Sequence, residues 1–190
     1  MNKPKIRTGI VGARFAANFH VDAVRRVHGT DPEIVGVVSR SMETAKAFAE
    51  PRDLTAFDDL DALLDQVDVV HVCVPAYAHE AVAVKALQRG VTPIIEKPFT
   101  GYFGDGSENF DARSMPRQVA LDGALDSVKR LLEAEAASSA RILYAENWVY
   151  VPAIQKEREI LEKTGAQILW MHGEEAHSGS HSPVYGIWRF

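Results

Sequence analysis

The chain has little of what marks a secreted, membrane-bound or metal-stapled protein. Its 190 residues include one cysteine, Cys73, so no internal disulfide forms and no cysteine-based metal site exists. No apolar run approaches the ~18 residues of a membrane span. The opening Met1-Asn-Lys-Pro-Lys-Ile-Arg has no apolar stretch behind its positive charges and does not read as a signal peptide. Basic residues are outnumbered, Lys+Arg 21 against Asp+Glu 26, and the formal net charge of -5 argues against a general nucleic-acid surface. Internal repeats and low-complexity tracts are lacking too. What is present, 46% hydrophobic and 25% charged residues, is ordinary globular composition. The expectation is a cytoplasmic globular chain, long enough for one full domain and part of a second.

The first half alternates short β-branched runs with helical patterns, the sign of βαβ units. Residues 6–11, 34–38, 67–74 and 91–95 predict strands, and their nearly unbroken apolar character predicts cover on both faces. Helical patterns fall at residues 15–27, 42–49, 60–64 and 79–89. Asp58 and Asp59 suit the N-terminus of the third, where negative charge meets the positive end of the dipole. From Thr100 to Pro116 the pattern stops in a long Gly- and Ser-rich loop. Its Asp105, Glu108 and Asp111 read as a solvated excursion, with a lid as the alternative. A helix over 119–136, a strand over 141–145, a helix over 153–163 and a strand over 166–171 follow.

The fold class expected is therefore α/β: a doubly wound, mostly parallel sheet over 1–145, then the beginning of a second α/β domain over 146–190. The final 45 or so residues are too few for a core of their own. The chain stops on Trp-Arg-Phe with no capping or turn residues, so the second domain is expected to be incomplete.

The first strand runs into Gly12-Ala-Arg14-Phe-Ala-Ala17 and then a helix, the place for a dinucleotide-binding G-x-G-x-x-G/A turn. There the first Gly makes the tight turn, the second admits the pyrophosphate and the third, small residue lets helix and strand pack. Gly12 and Ala17 match the first and third positions, and Arg14 stands at the second. Gly12, Ala13, Arg14, Phe15 and Ala16 are accordingly candidate cofactor contacts. The Arg14 side chain must point away from the phosphates or bind them, and the helix's own N–H groups attract an anion. The plainer alternative is an ordinary strand–turn–helix. After the second strand, the slot for a ribose-binding acidic residue holds Ser39 and Arg40. A hydroxyl beside a guanidinium suits a 2′-phosphate, which favours NADP over NAD. The alternative makes Arg40 a solvated residue at a helix start.

Val70-His-Val-Cys-Val-Pro75 leads into Ala76-Tyr-Ala-His79, a turn at the carboxyl edge of the sheet, where open α/β sheets bind ligands. Further on, Thr92-Pro-Ile-Ile95 is followed by Glu96-Lys97-Pro98. A lysine at a strand's carboxyl end, its backbone restrained by proline, serves packing poorly and suits polarising a substrate oxygen. His71 reads as a core histidine and Cys73, on the same face, as inert packing. Tyr77 is either a stacking or a packing residue. His172, His177 and His181, with Glu174 and Glu175, lack the helical spacing of a zinc motif, and no metal site is expected.

Gly-Ile-Val-Gly-Ala-Arg-Phe-Ala-Ala, Val-Cys-Val-Pro-Ala-Tyr-Ala-His-Glu and Ile-Ile-Glu-Lys-Pro-Phe, in this order and spacing, resemble the Gfo/Idh/MocA oxidoreductases. The resemblance covers residues 5–98, and 140–190 more loosely. It implies a Rossmann domain binding NAD or NADP, followed by an α/β domain with a large open sheet. It also implies hydride transfer to or from a hydroxyl of a sugar, polyol or related small molecule, in a full-length form that is a homo-oligomer. Lys97 matches the family's catalytic lysine, which contacts substrate oxygen and cofactor, with Glu96 as its acidic neighbour and Pro98 shaping the turn. Pro75 and His79 match positions lining the cofactor cleft. Asn147 lies where the chain crosses between domains near the cofactor, and Trp188 and Arg189 resemble a pair reaching toward the nicotinamide.

Two departures stand out. Arg14 replaces the second glycine. The family's general acid/base histidine, in a stretch ending Asp-x-x-x-His just after Trp-Arg, is expected to be missing, because the sequence ends at Phe190. The alternative function is a non-catalytic nucleotide sensor on the same fold; the lysine of Glu-Lys-Pro favours the enzyme.

Overall fold

Valine, isoleucine and glycine dominate the first apolar run, which forms β1 (Lys5–Val11) at the middle of a sheet. The computed structural model describes residues 3–104 and 114–174. In it β1 pairs in parallel with β2 (Asp31–Val38) on one side and β4 (Val69–Val72) on the other. β3 (Thr55–Phe57) lies beyond β2, and β5 (Thr92–Ile95) then β6 (Leu143–Tyr144) lie beyond β4. The order is β3-β2-β1-β4-β5-β6, and every ladder is parallel. In this order the direction of sheet-building reverses between β1 and β4, and ligands of doubly wound sheets bind at that reversal.

Strand side chains alternate between faces, and neighbouring residues here feed two separate cores. On one face α1 (Phe15–Val24) and α2 (Met42–Ala49) bring Ala17, Val21, Phe48 and Ala49 against Ile10, Val37 and Cys73. On the other, α3 (Leu60–Leu64), α4 (His79–Gln88) and α5 (Arg117–Ala136) bring Leu63, Ala83, Ala86 and Leu131 against Val11, Val38, Val70, Val72 and Ile95. Each fully buried Val, Leu or Ile side chain contributes roughly 1.5–3 kcal/mol. Side-chain caps set two helix starts. Ser41 accepts from the Thr44 N–H at 3.2 Å, and Asp59 accepts from the Ala62 N–H at 2.8 Å.

Cys73 is buried in the first of these cores. Burial, reinforced by the charge of Glu96, pushes its thiol well above the ordinary range. The native chain should therefore react with a disulfide reagent at least about a hundredfold more slowly than an exposed thiol, and fully only once unfolded. Rapid stoichiometric labelling of the native chain would contradict this.

The chain divides into two compact units, Met1–Ala145 and Glu146–Phe190. In the second, Trp148–Tyr150 form a single 3-10 turn, and α6 (Pro152–Thr164) follows, with Pro in its first turn and Gly165 (φ 63°) closing it. α6 has no buried residue, and its charges pair along the helix, Lys163 and Lys156 with Glu159 and Arg158 with Glu162.

Several expectations need correction. β3 was not expected: three residues are too few to show a period of two. The strand expected over 67–74 narrows to Val69–Val72, and that over 141–145 to Leu143–Tyr144. The strand expected over 166–171 does not form among the described residues. A strand is defined by its ladder, no edge is paired with this segment, and its Leu169, Trp170 and Met171 stay 75–90% exposed. No helix among the described residues is long and apolar enough to cross a membrane.

Candidate active site at the carboxyl edge of the sheet

Gly12 fixes the turn after β1. Its φ of +105° lies where L side chains rarely go, and a Cβ there would stand 2.5 Å from the Cys73 carbonyl oxygen. The Gly12 N–H donates to the Val38 carbonyl at 2.8 Å, and the Cys73 N–H donates to the Val11 carbonyl at 2.8 Å. The ends of β1, β2 and β4 therefore meet around one glycine. Arg14 follows at the N-cap of α1 with φ -118° and ψ -156°, extended backbone that any L residue adopts. That is why an arginine stands at the second glycine position without strain. Its side chain makes no cap hydrogen bond, so the first-turn N–H groups of α1 remain suited to an anion. Ala13 and Ala16 are half-buried against the core. Phe15 is 65% exposed and lies edge-on to Phe19, with centroids 4.8 Å apart.

After β2, Ser39 is half-buried and Arg40 exposed. The Ser41 hydroxyl is committed to capping α2 and to Thr44 Oγ1 at 2.9 Å. After β4, Pro75 is exposed and opens the 3-10 turn Ala76–Ala78. His79, expected in the cleft lining, is 1% exposed. Its Nδ1 lies 2.9 Å from the Pro98 carbonyl and its Nε2 3.0 Å from the Val74 carbonyl. Both ring nitrogens are thus turned to backbone, and His79 ties the β4–α4 turn to the segment Glu96-Lys97-Pro98.

That segment carries the lysine. Lys97 is exposed, and its peptide bond to Pro98 is cis. Glu96 is half-buried; its Oε2 accepts from the Lys97 backbone N–H at 3.0 Å, and its Oε1 lies 3.0 Å from Nε2 of His20 on α1. Burial alone would push the Glu96 carboxyl up. The His20 hydrogen bond and charge, with the Lys97 N–H and charge, outweigh it and hold the carboxyl below its usual range. His20 Nδ1 in turn lies 2.7 Å from Nδ1 of His71. His71 is the core histidine anticipated from its strand, and burial, with the nearby His20, lowers its pKa to about 3. His20 carries no motif signal, since its partners stand 51 and 76 residues away.

Beyond Phe99 the loop is anchored to α4 and α5. Thr100 and Ser127 share a 2.5 Å hydrogen bond, the Ser127 hydroxyl donates to Glu80, and Arg130 pairs with the same carboxylate. The Arg130 guanidinium is the main reason the Glu80 carboxyl lies below its usual range. Tyr102 packs where Gly123 leaves room on α5, and Phe103 meets Tyr77 edge-to-face at 6.5 Å. Asp105, Glu108 and Asp111 lie outside the described residues.

The remaining candidates belong to the second unit. Asn147 is exposed and precedes the turn Trp148–Tyr150, and His172 stacks on Trp170. His177, His181, Trp188 and Arg189 lie outside the described residues. Among the described residues no group of three or more His, Cys, Asp or Glu is placed to hold a metal ion.

A six-stranded parallel sheet in this order, with a glycine turn at its reversal point and a lysine on the same edge, defines a dinucleotide-binding Rossmann domain. Residues 6–122 match the Gfo/Idh/MocA model, described as an oxidoreductase family with an NAD-binding Rossmann fold, and the chain belongs to that family. It is 37% identical over 95 residues to UDP-N-acetylglucosamine 3-dehydrogenase of Acidithiobacillus ferrooxidans, covering 50% of this chain and 29% of that enzyme. It is 32% identical over 126 residues to inositol 2-dehydrogenase of Corynebacterium glutamicum, covering 64% of this chain and 34% of that one. The solved structure of an oxidoreductase from Thermotoga maritima superposes with a TM-score of 0.67 at 27% identity, covering 94% of this chain and 51% of that one. The chain thus spans 29–34% of the length of these two dehydrogenases.

Proposed function

We propose that this chain seats NADP or NAD at the edge formed by β1, β2 and β4, and that it serves hydride transfer to or from a hydroxyl of a sugar, polyol or related compound. The observation that carries this reading is the Gly12 turn, whose backbone conformation and close approach to Cys73 exclude any side chain. Residues Gly12 to Ala16 and the first turn of α1 hold the pyrophosphate through backbone N–H groups. Ser39 and Arg40 take the adenosine ribose and its 2′-phosphate, with Arg40 supplying charge and planar donors. Pro75 borders the nicotinamide side. The cofactor supplies the hydride donor or acceptor. Lys97 donates a hydrogen bond from Nζ to the substrate oxygen and stabilises negative charge developing there. The similarity to enzymes named for UDP-N-acetylglucosamine and inositol supports a hydroxylated ring as substrate.

Calorimetric titration with the oxidised and reduced forms of both coenzymes tests the seat. Binding at micromolar Kd, about -8 kcal/mol, is expected; no heat with any of the four would overturn it. Arg40→Ala should weaken NADP binding about tenfold or more, the loss of one charge-assisted contact, while NAD affinity stays within about threefold. Equal loss for both coenzymes would remove the 2′-phosphate from Arg40.

A further inference from the structure

Lys97 reaches a substrate only as accurately as its segment is held, and Glu96 is the point at which that segment is fixed from the sheet side. One carboxylate oxygen accepts from the Lys97 backbone N–H at 3.0 Å, and the other faces His20 Nε2 at 3.0 Å. His20 is fixed in its turn by His71, 2.7 Å away through Nδ1 and rooted in β4. The side chains of His20 and Glu96 are 12% and 21% exposed, so water competes little with the bond between them.

We propose that His20 is a positioning residue for Lys97: its Nε2–H clamps Glu96, leaving the second carboxylate oxygen to hold the Lys97 backbone. The proposal rests on the reading of Lys97 as the amine that meets the substrate oxygen. Its logic is that of donors and acceptors. An ionised carboxylate only accepts, so the proton of the His20–Glu96 contact sits on Nε2. His71, kept neutral by burial, supplies its Nδ1–H to Nδ1 of a neutral His20 and accepts from Nδ1–H of a charged one, with Nε2–H on Glu96 in both cases. In the neutral pair every donor points toward Glu96: His71 to His20, His20 to Glu96, and the Lys97 N–H to Glu96 from the other side.

The placement of His20 adds a consequence. It lies on α1, the helix whose first turn faces the proposed pyrophosphate seat. A single rigid helix therefore addresses the phosphate end of the coenzyme and, through one hydrogen bond, the lysine at the other end of the site. A leucine of similar volume would pack between α1 and β4, but it would leave Glu96 free to rotate.

Two NMR measurements on the labelled chain test the clamp. Long-range nitrogen–proton correlation reads the ring tautomers directly. The expected result is His20 protonated at Nε2 and His71 protonated at Nδ1. A doubly protonated His20 against a bare His71 Nδ1 supports the clamp equally, since Nε2–H still faces Glu96. A His20 ring with bare Nε2 would overturn it. Amide exchange at Lys97 is the second readout. It should quicken at least threefold, and about tenfold, in His20→Leu, and return to within about threefold of the parent in His20→Gln, whose amide N–H can replace Nε2–H. A change below threefold in a folded His20→Leu chain, or no recovery in His20→Gln, would overturn the clamp, and the tautomer result stands even where a variant fails to fold. Nucleotide calorimetry separates this proposal from the one beneath it. Failure to bind any coenzyme removes the nicotinamide reading alone, whereas normal binding with the wrong tautomer removes the clamp alone.

Discussion

Lys97→Met is expected to slow hydride transfer about a hundredfold to a thousandfold, the usual cost of removing one donor aimed at developing charge. Methionine keeps an unbranched stem of similar length and deletes only the ammonium, so packing changes little. Two of the contacts that hold this segment are made by its backbone: the Lys97 N–H to Glu96, and the Pro98 carbonyl to His79. Both survive the substitution, and the coenzyme Kd should therefore stay within about threefold of the parent value. Turnover followed by nicotinamide absorbance, with Kd from calorimetry, separates the two effects. Lys97→Arg should fall between, because a planar guanidinium keeps the charge but not its position. Undiminished turnover in Lys97→Met would remove the lysine from the chemistry. A parallel loss of coenzyme affinity would make it a binding residue instead.

Where the chain carries its own local punctuation, sequence and structure agree closely. α2 and α3 span the expected residues because Ser41 and Asp59 cap them through contacts three residues long. The glycine turn, the Pro75 turn and the Glu96-Lys97-Pro98 segment were likewise legible, since each is a short motif at a strand end. What escaped depends on partners far along the chain. β3 is three residues whose only reason to be extended is the β2 edge beside it. His20 looks like any polar residue on α1 until the fold brings His71 and Glu96 to either side. His79 was placed in the cleft by analogy, and only the closure of two carbonyls around its ring shows it facing inward. The segment 166–171 has strand composition without a pairing edge among the described residues, and composition alone makes no ladder.

Gly12→Ala should be strongly destabilising for a single added methyl, costing about 3 kcal/mol. For a domain of this size that lowers Tm by roughly 6–12 °C. Two terms combine. The backbone at φ +105° is unfavourable for any L residue, and the new Cβ would meet the Cys73 carbonyl oxygen at 2.5 Å. The residue that carries that oxygen is held to the end of β1 through its N–H bond to Val11. Relief through the Gly12 peptide comes at the expense of its hydrogen bond to Val38. Gly29 provides the control, for its φ is +97° but nothing lies within 4 Å of the added carbon. Gly29→Ala should show the backbone cost alone, about 1 kcal/mol. Denaturant titration of both variants isolates the contact with Cys73 as the difference. Equal losses would mean that the strand ends yield and that no tight seat exists there. If the difference is as large as expected, coenzyme affinity should fall with it by at least about tenfold, since the N–H groups proposed to hold the pyrophosphate are those displaced by the shifted turn.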